Sequence, residues 1–84
     1  MKFVDERIEV NKEDGMPVSF IWRGSEYKIS KIRANFQDYD LRQNWRLRRH
    51  RTRYVVETEE GGVFDIYLDR GAREPTWILY RKIN

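Results

Sequence analysis

The chain has no cysteine, so neither disulfides nor thiolate metal ligands can brace its fold, and the small secreted disulfide scaffolds are excluded. Its single histidine, His50, lies between Arg49 and Arg51. Neighbouring cations oppose both a divalent metal and protonation of the imidazole, so His50 reads as a poor metal ligand and a poor general base, and at most as a helper in phosphate contact. No run approaches the roughly twenty apolar residues of a membrane-spanning helix. Met1-Lys2 leads straight into alternating charged residues with no apolar segment of the secretory type, so the expected location is cytoplasmic, with no membrane association.

Lysine is absent between Arg33 and Arg81, and the basic charge there is carried by arginine alone. Over 84 residues the net charge is +3, but it is unevenly spread. Residues 1–30 carry a net −1, residues 31–53 a net +6 and residues 54–84 a net −2. The excess is concentrated in Arg42 to Arg53, RQNWRLRRHRTR, with six arginines, Trp45, His50 and no acidic residue. Such a local excess points to an anionic partner, nucleic acid first. Arginine suits the task because its planar fork stays charged, matches phosphate oxygens two at a time and stacks on bases. The candidate nucleic-acid-binding residues are therefore Arg42, Trp45, Arg46, Arg48, Arg49, His50, Arg51 and Arg53, with Tyr39 as a second stacking ring. The plainer alternatives are a solvated face and an acidic protein partner.

At this length the chain has room for one domain, residues 1–84, with a modest core. Aromatic residues make up 14% of it, and large rings offset chain entropy in a small fold that lacks crosslinks. The apolar pattern has mainly period two. Val18, Phe20 and Trp22 share one strand face, Gly24-Ser25 reads as a turn into Tyr27 to Ile29, and Phe3 to Val10 is a weaker strand closed by Asn11 to Gly15. Tyr54, Val56 and Thr58 alternate ahead of Glu60-Gly61-Gly62, and Phe64, Ile66 and Leu68 alternate after it, the clearest hairpin in the sequence. Thr76 to Ile83 places Trp77, Leu79 and Ile83 on one face, with Ile78 and Tyr80 on the other. The expected fold is all-β, a small antiparallel barrel or strongly bent sheet of five to six strands, of SH3-like or OB-like size. Residues 36–50 break the period; a loop or short helix is expected over about 38–47, then a strand from about Arg51. Phe20, Trp22, Phe64, Ile66 and Trp77 are assigned to the core.

No reaction can be read from these residues. Glu57, Glu59, Glu60, Asp65 and Asp69 flank the Gly61-Gly62 turn, where a carboxylate pair is conceivable, but charge balance against the arginines explains them better. No catalytic residue, cofactor or metal is expected, and the oligomeric state is not legible.

The order FIWRGSEYKI (Phe20–Ile29), Trp45-Arg46, RYVVETEEGGVFDIYLD (Arg53–Asp69) and WILYRKI (Trp77–Ile83) resembles a small bacterial domain family of unknown function. It is similar as well to the C-terminal tail of ImuB-like proteins, inactive relatives of Y-family DNA polymerases. The likeness covers roughly residues 17 to 83, and it implies a DNA-repair or replication neighbourhood and no catalytic residues. Asn44-Trp45 stands where the related pattern often has paired tryptophans, and the arginine run is denser than usual. The expected function is thus a non-catalytic module that binds nucleic acid through its arginine-rich segment. The alternative is an adaptor that docks a polymerase-related or acidic protein.

Overall fold

The computed structural model describes residues 2–38, 51–70 and 74–84. Within them the chain forms six strands, β1 (Lys2–Glu13), β2 (Met16–Trp22), β3 (Ser25–Asp38), β4 (Arg51–Thr58), β5 (Val63–Asp69) and β6 (Thr76–Lys82). Each strand pairs antiparallel with the next and β6 returns to β1, giving a closed barrel in the order β1-β2-β3-β4-β5-β6. This is the expected all-β class, and closure removes most of the edge that an open sheet of this size would expose.

Two long strands allow so short a chain to close. Over Lys2 to Ile8, β1 pairs with β6, and over Glu9 to Glu13 it pairs with β2. Likewise β3 pairs with β2 over Ser25 to Lys28 and with β4 from Ile29 to Asp38. The sequence pattern underestimates both, because strands that change partners midway also change which residues face inward. On β3 a bulge marks the change, with a register shift between Ile29 and Lys31, whereas on β1 the shifts fall within each half, between Phe3 and Glu6 and between Asn11 and Lys12.

The turns shift by a residue or more from their expected places. The β1–β2 link is the two-residue Asp14-Gly15 rather than the whole of Asn11 to Gly15, and the β2–β3 link is Arg23-Gly24 rather than Gly24-Ser25. In each pair both residues have positive φ, 53° and 80° in the first and 50° and 80° in the second. That is the backbone of a type I′ hairpin turn, whose twist matches the flanking strands.

Alternation along β4 is strict: Thr52, Tyr54, Val56 and Thr58 are buried, while Arg51, Arg53, Val55 and Glu57 face outward and are half-buried. The core contains Ile8, Phe20, Val56, Phe64, Ile66 and Leu79, as expected for Phe20, Phe64 and Ile66. Trp22 and Trp77 are only partly buried and pack against this cluster from its margins. Around Phe64, the rings of Phe20, Trp22 and Tyr27 sit 5.3, 6.1 and 5.5 Å away, the first two edge-on. At the other end of the interior Tyr54 lies 5.6 Å from Trp77. Edge-to-face packing of this kind adds roughly 0.5–1.5 kcal/mol per pair beyond the area buried.

Asp38 is the last residue of β3 rather than part of a loop, and β4 starts at Arg51 as expected. The rest of the expected loop or helix at 38–47 lies outside the described residues.

Candidate nucleic-acid interface

Of the eight predicted binding residues, Arg51 and Arg53 are described, and both point outward from the start of β4. Arg42, Trp45, Arg46, Arg48, Arg49 and His50 lie outside the described residues, as does Tyr39.

Arg53 is held firmly. Across the sheet from it is Phe36 of β3, and its guanidinium carbon lies 5.5 Å from the Phe36 ring centre. Its Nη2 donates to Asp65 Oδ2 at 2.8 Å and its Nε to Asp65 Oδ1 at 3.4 Å, a two-pronged contact. From the opposite side, Arg81 Nε of β6 donates to the same Oδ2 at 3.0 Å. The Asp65 side chain is fully buried, while those of Arg53 and Arg81 keep 28% of their exposure. A buried carboxylate without a partner would be prohibitive, so two guanidinium groups on it are what the site requires. In consequence part of the arginine charge is neutralised within the fold. Two charges meet one here, and the cluster keeps a net +1.

Arg51 occupies a different setting. Its guanidinium carbon lies 5.0 Å from the Tyr67 ring centre, and in the sheet it stands opposite Asp69. Tyr67 in turn lies 6.2 Å from Tyr80, whose ring meets Phe3 of β1 edge-on at 5.5 Å. A bulge opposite Asp65 and Ile66 lets consecutive residues of β6 serve this outward side, Arg81 bonding Asp65 and Tyr80 meeting Tyr67 and Phe3. Cations over rings at these distances contribute about 0.5–1 kcal/mol when exposed, and more where water is excluded.

The outward side of β3–β4–β5–β6–β1 thus carries a band of rings and guanidinium groups: Phe36, Arg53, Arg51, Tyr67, Tyr80 and Phe3, with Asp65 beneath. Sequence reasoning found Arg51 and Arg53 in it and missed the rings. Phe36 stood at the margin of the aperiodic stretch, and Phe3 belonged to the weakest strand. The readable signal was the strict alternation of β4, which sends Arg51 and Arg53 to one face, together with Asp65 flanked by two core residues, Phe64 and Ile66.

Glu57 and Asp65 act as counter-charges. Arg33 Nε bonds Glu57 Oε2 at 3.1 Å, and Asp65 serves Arg53 and Arg81. Among the described residues no group of three histidine, cysteine or acidic side chains is placed to hold a metal ion. Away from the band, Arg23 forms a two-pronged pair with Glu6, Nε to Oε1 at 3.2 Å and Nη2 to Oε2 at 2.5 Å, and Trp22 Nε1 donates to the same Oε1 at 3.0 Å. Hydrogen bonds from Arg23 and then Trp22 hold the Glu6 carboxyl below its ordinary range.

Comparison with protein families matches residues 1–84 to the family described as Domain of unknown function (DUF6504), and the chain belongs to it. Neither the curated proteins nor the solved structures contain a match.

Proposed function

We propose that this DUF6504 chain is a non-catalytic nucleic-acid-binding module that works beside DNA repair or replication, with the arginine run 42–53 as its phosphate-contacting segment. The supporting observation is the setting of the run's described end. Arg51 and Arg53 stand on a rigid strand with their guanidinium groups laid against rings, rather than dispersed along a solvated face. Side chains ordered beforehand lose less entropy on meeting a phosphate or a base. Arg53 spends Nε and Nη2 on Asp65 and so acts first as an anchor, leaving Arg42, Arg46, Arg48, Arg49 and Arg51 as the main phosphate contacts. Trp45 or Tyr39 stacks on a base, and His50 assists at phosphate. The resemblance to the tail of ImuB-like proteins supports the repair neighbourhood.

The test is an anisotropy titration of a labelled oligonucleotide with the wild-type chain and with Arg48, Arg49 and Arg51 replaced together by alanine. Binding by the first and none by the second, both folded by circular dichroism, is the expected result. Equal binding by the two removes the arginine segment from the account. A wild-type chain that binds no oligonucleotide at ~0.15 M salt, the physiological range, but captures a polymerase-related or acidic protein would establish the adaptor instead.

A further inference from the structure

The band on the outward face contains two large rings that the core does not use. Phe36 is 50% exposed and Phe3 is 62% exposed, the two most exposed large apolar side chains among the described residues. They mark its two ends, on β3 and β1, with β4, β5 and β6 between them. Four strand steps of about 4.8 Å separate them by roughly 19 Å across the curved sheet. An offset along β1 adds to this, since the row of Phe36 runs through Arg53, Tyr67 and Ile78 to Arg7. Each has a partner on one side only in the contacts described, Phe36 against the Arg53 guanidinium and Phe3 against the edge of Tyr80, and each leaves half or more of its surface to solvent.

Charge is arranged unevenly over the same face. In the middle, Asp65 takes up much of the charge of Arg53 and Arg81. The centre is therefore aromatic with its arginine charge partly neutralised, and Arg51 lies over Tyr67 beside it. A polyanion with its charges outermost, such as a duplex or an acidic protein surface, gains little from hydrocarbon rings at both ends and central arginines already tied to Asp65. An unpaired strand fits better, because it has π-faces to lay on the rings and phosphates to direct at the arginines. Duplex DNA keeps its base faces stacked and is read through its grooves by a projecting helix or two-stranded ribbon. Among the described residues this face is formed by barrel strands alone.

We infer that the band is a stacking platform for single-stranded nucleic acid, with Phe36 and Phe3 receiving bases and Arg51 directing phosphate along one side. This rests on the nucleic-acid reading above and narrows it to unpaired strands. Phenylalanine carries no hydrogen-bonding group, so the platform tolerates any base. Asp65 is a positioning residue here: it fixes the Arg53 guanidinium against one side of Phe36 and orients the ring for a base on the other.

The experiment compares the full chain on a labelled thymidine oligomer of about 15 nucleotides, near the upper end of the span one small barrel occupies, and on the matching A·T duplex. The wild-type chain is expected to bind the single strand at least ~10-fold more tightly at the same salt. Phe36→Ala is expected to weaken the single-strand complex by about 5- to 150-fold, the range for losing one stacked base, and to leave duplex binding unchanged. Phe36→Tyr, which keeps the ring, restores the affinity. Because Phe36 is half exposed, its removal leaves the barrel folded, and a thermal melt of each variant checks this. Equal affinity for strand and duplex, or an unaltered single-strand affinity in Phe36→Ala, overturns the platform and leaves charge-driven binding standing. A wild-type chain that binds neither oligonucleotide overturns the nucleic-acid reading itself, and the platform with it.

Discussion

Replacing Asp65 by asparagine tests whether the arginine face is a built part of the fold. The substitution conserves volume, so it opens no cavity, and its effect is electrostatic. The wild-type carboxylate is fully buried and accepts three hydrogen bonds, two from Arg53 and one from Arg81. Asparagine removes the charge and turns an NH2 group toward guanidinium donors that offer it no acceptor. Removing one member of a fully buried ion pair costs roughly 3–5 kcal/mol. Both arginines keep 28% side-chain exposure and can partly rehydrate, which places the expected loss at the lower end, about 3 kcal/mol. For a domain of this size each kcal/mol moves Tm by roughly 4–8 °C, so a fall of about 12–24 °C is expected. Tryptophan fluorescence and circular dichroism melts measure it, and urea titration supplies the free energy at fixed temperature. In a double-mutant cycle with Arg53→Gln, a coupling above about 1 kcal/mol is expected, because the two residues share bonds. A Tm within ~3 °C of wild type, with no coupling, would refute the reasoning and return Arg53 and Arg81 to the solvated surface.

Three further outcomes follow from the geometry. In Gly62→Ala the new Cβ would lie 2.8 Å from Phe64 Cε2, so the ring must shift inside a packed aromatic cluster; a loss of about 1–3 kcal/mol is expected in urea unfolding. Leu79→Ala, at a fully buried position in the core cluster, should cost about 2–5 kcal/mol, and a loss under ~1 kcal/mol would mean the barrel interior is not packed as described. Glu6 titrates below its ordinary value because Arg23 and Trp22 bond its charged form. Since the folded value is the lower one, the Glu6 contribution to stability is fully present above the unfolded value and is lost as pH falls through the folded one. Carboxyl NMR should show the Glu6 midpoint rising in Arg23→Ala, and an unmoved midpoint would contradict the assignment.

What the sequence disclosed depended on how local the cause was. The β4–β5 hairpin was readable because alternation at Tyr54, Val56, Phe64 and Ile66 and the Gly61-Gly62 turn all act within a few residues. By contrast, the lengths of β1 and β3 depend on which partner each half meets, a property of barrel closure that no window of the sequence contains. Arg53 stood out through composition, but its anchoring role came from Asp65, twelve residues away, and from Phe36 on another strand. The exposed rings were the least legible part. A phenylalanine in a strand is normally assigned to a core, and only the register shows that Phe3 and Phe36 face out.

The central claim, that the arginine run meets a polyanion, is tested most directly by the salt dependence of oligonucleotide affinity. With Arg53 tied to Asp65, about five arginines remain for phosphate, and each neutralised phosphate adds roughly −0.7 to the log–log slope on a single strand, or −0.9 on duplex. The account predicts a slope near −3.5 for the single strand, falling by about two units when Arg48, Arg49 and Arg51 are removed. A slope near zero in the wild-type chain, or one indifferent to those arginines, would contradict it.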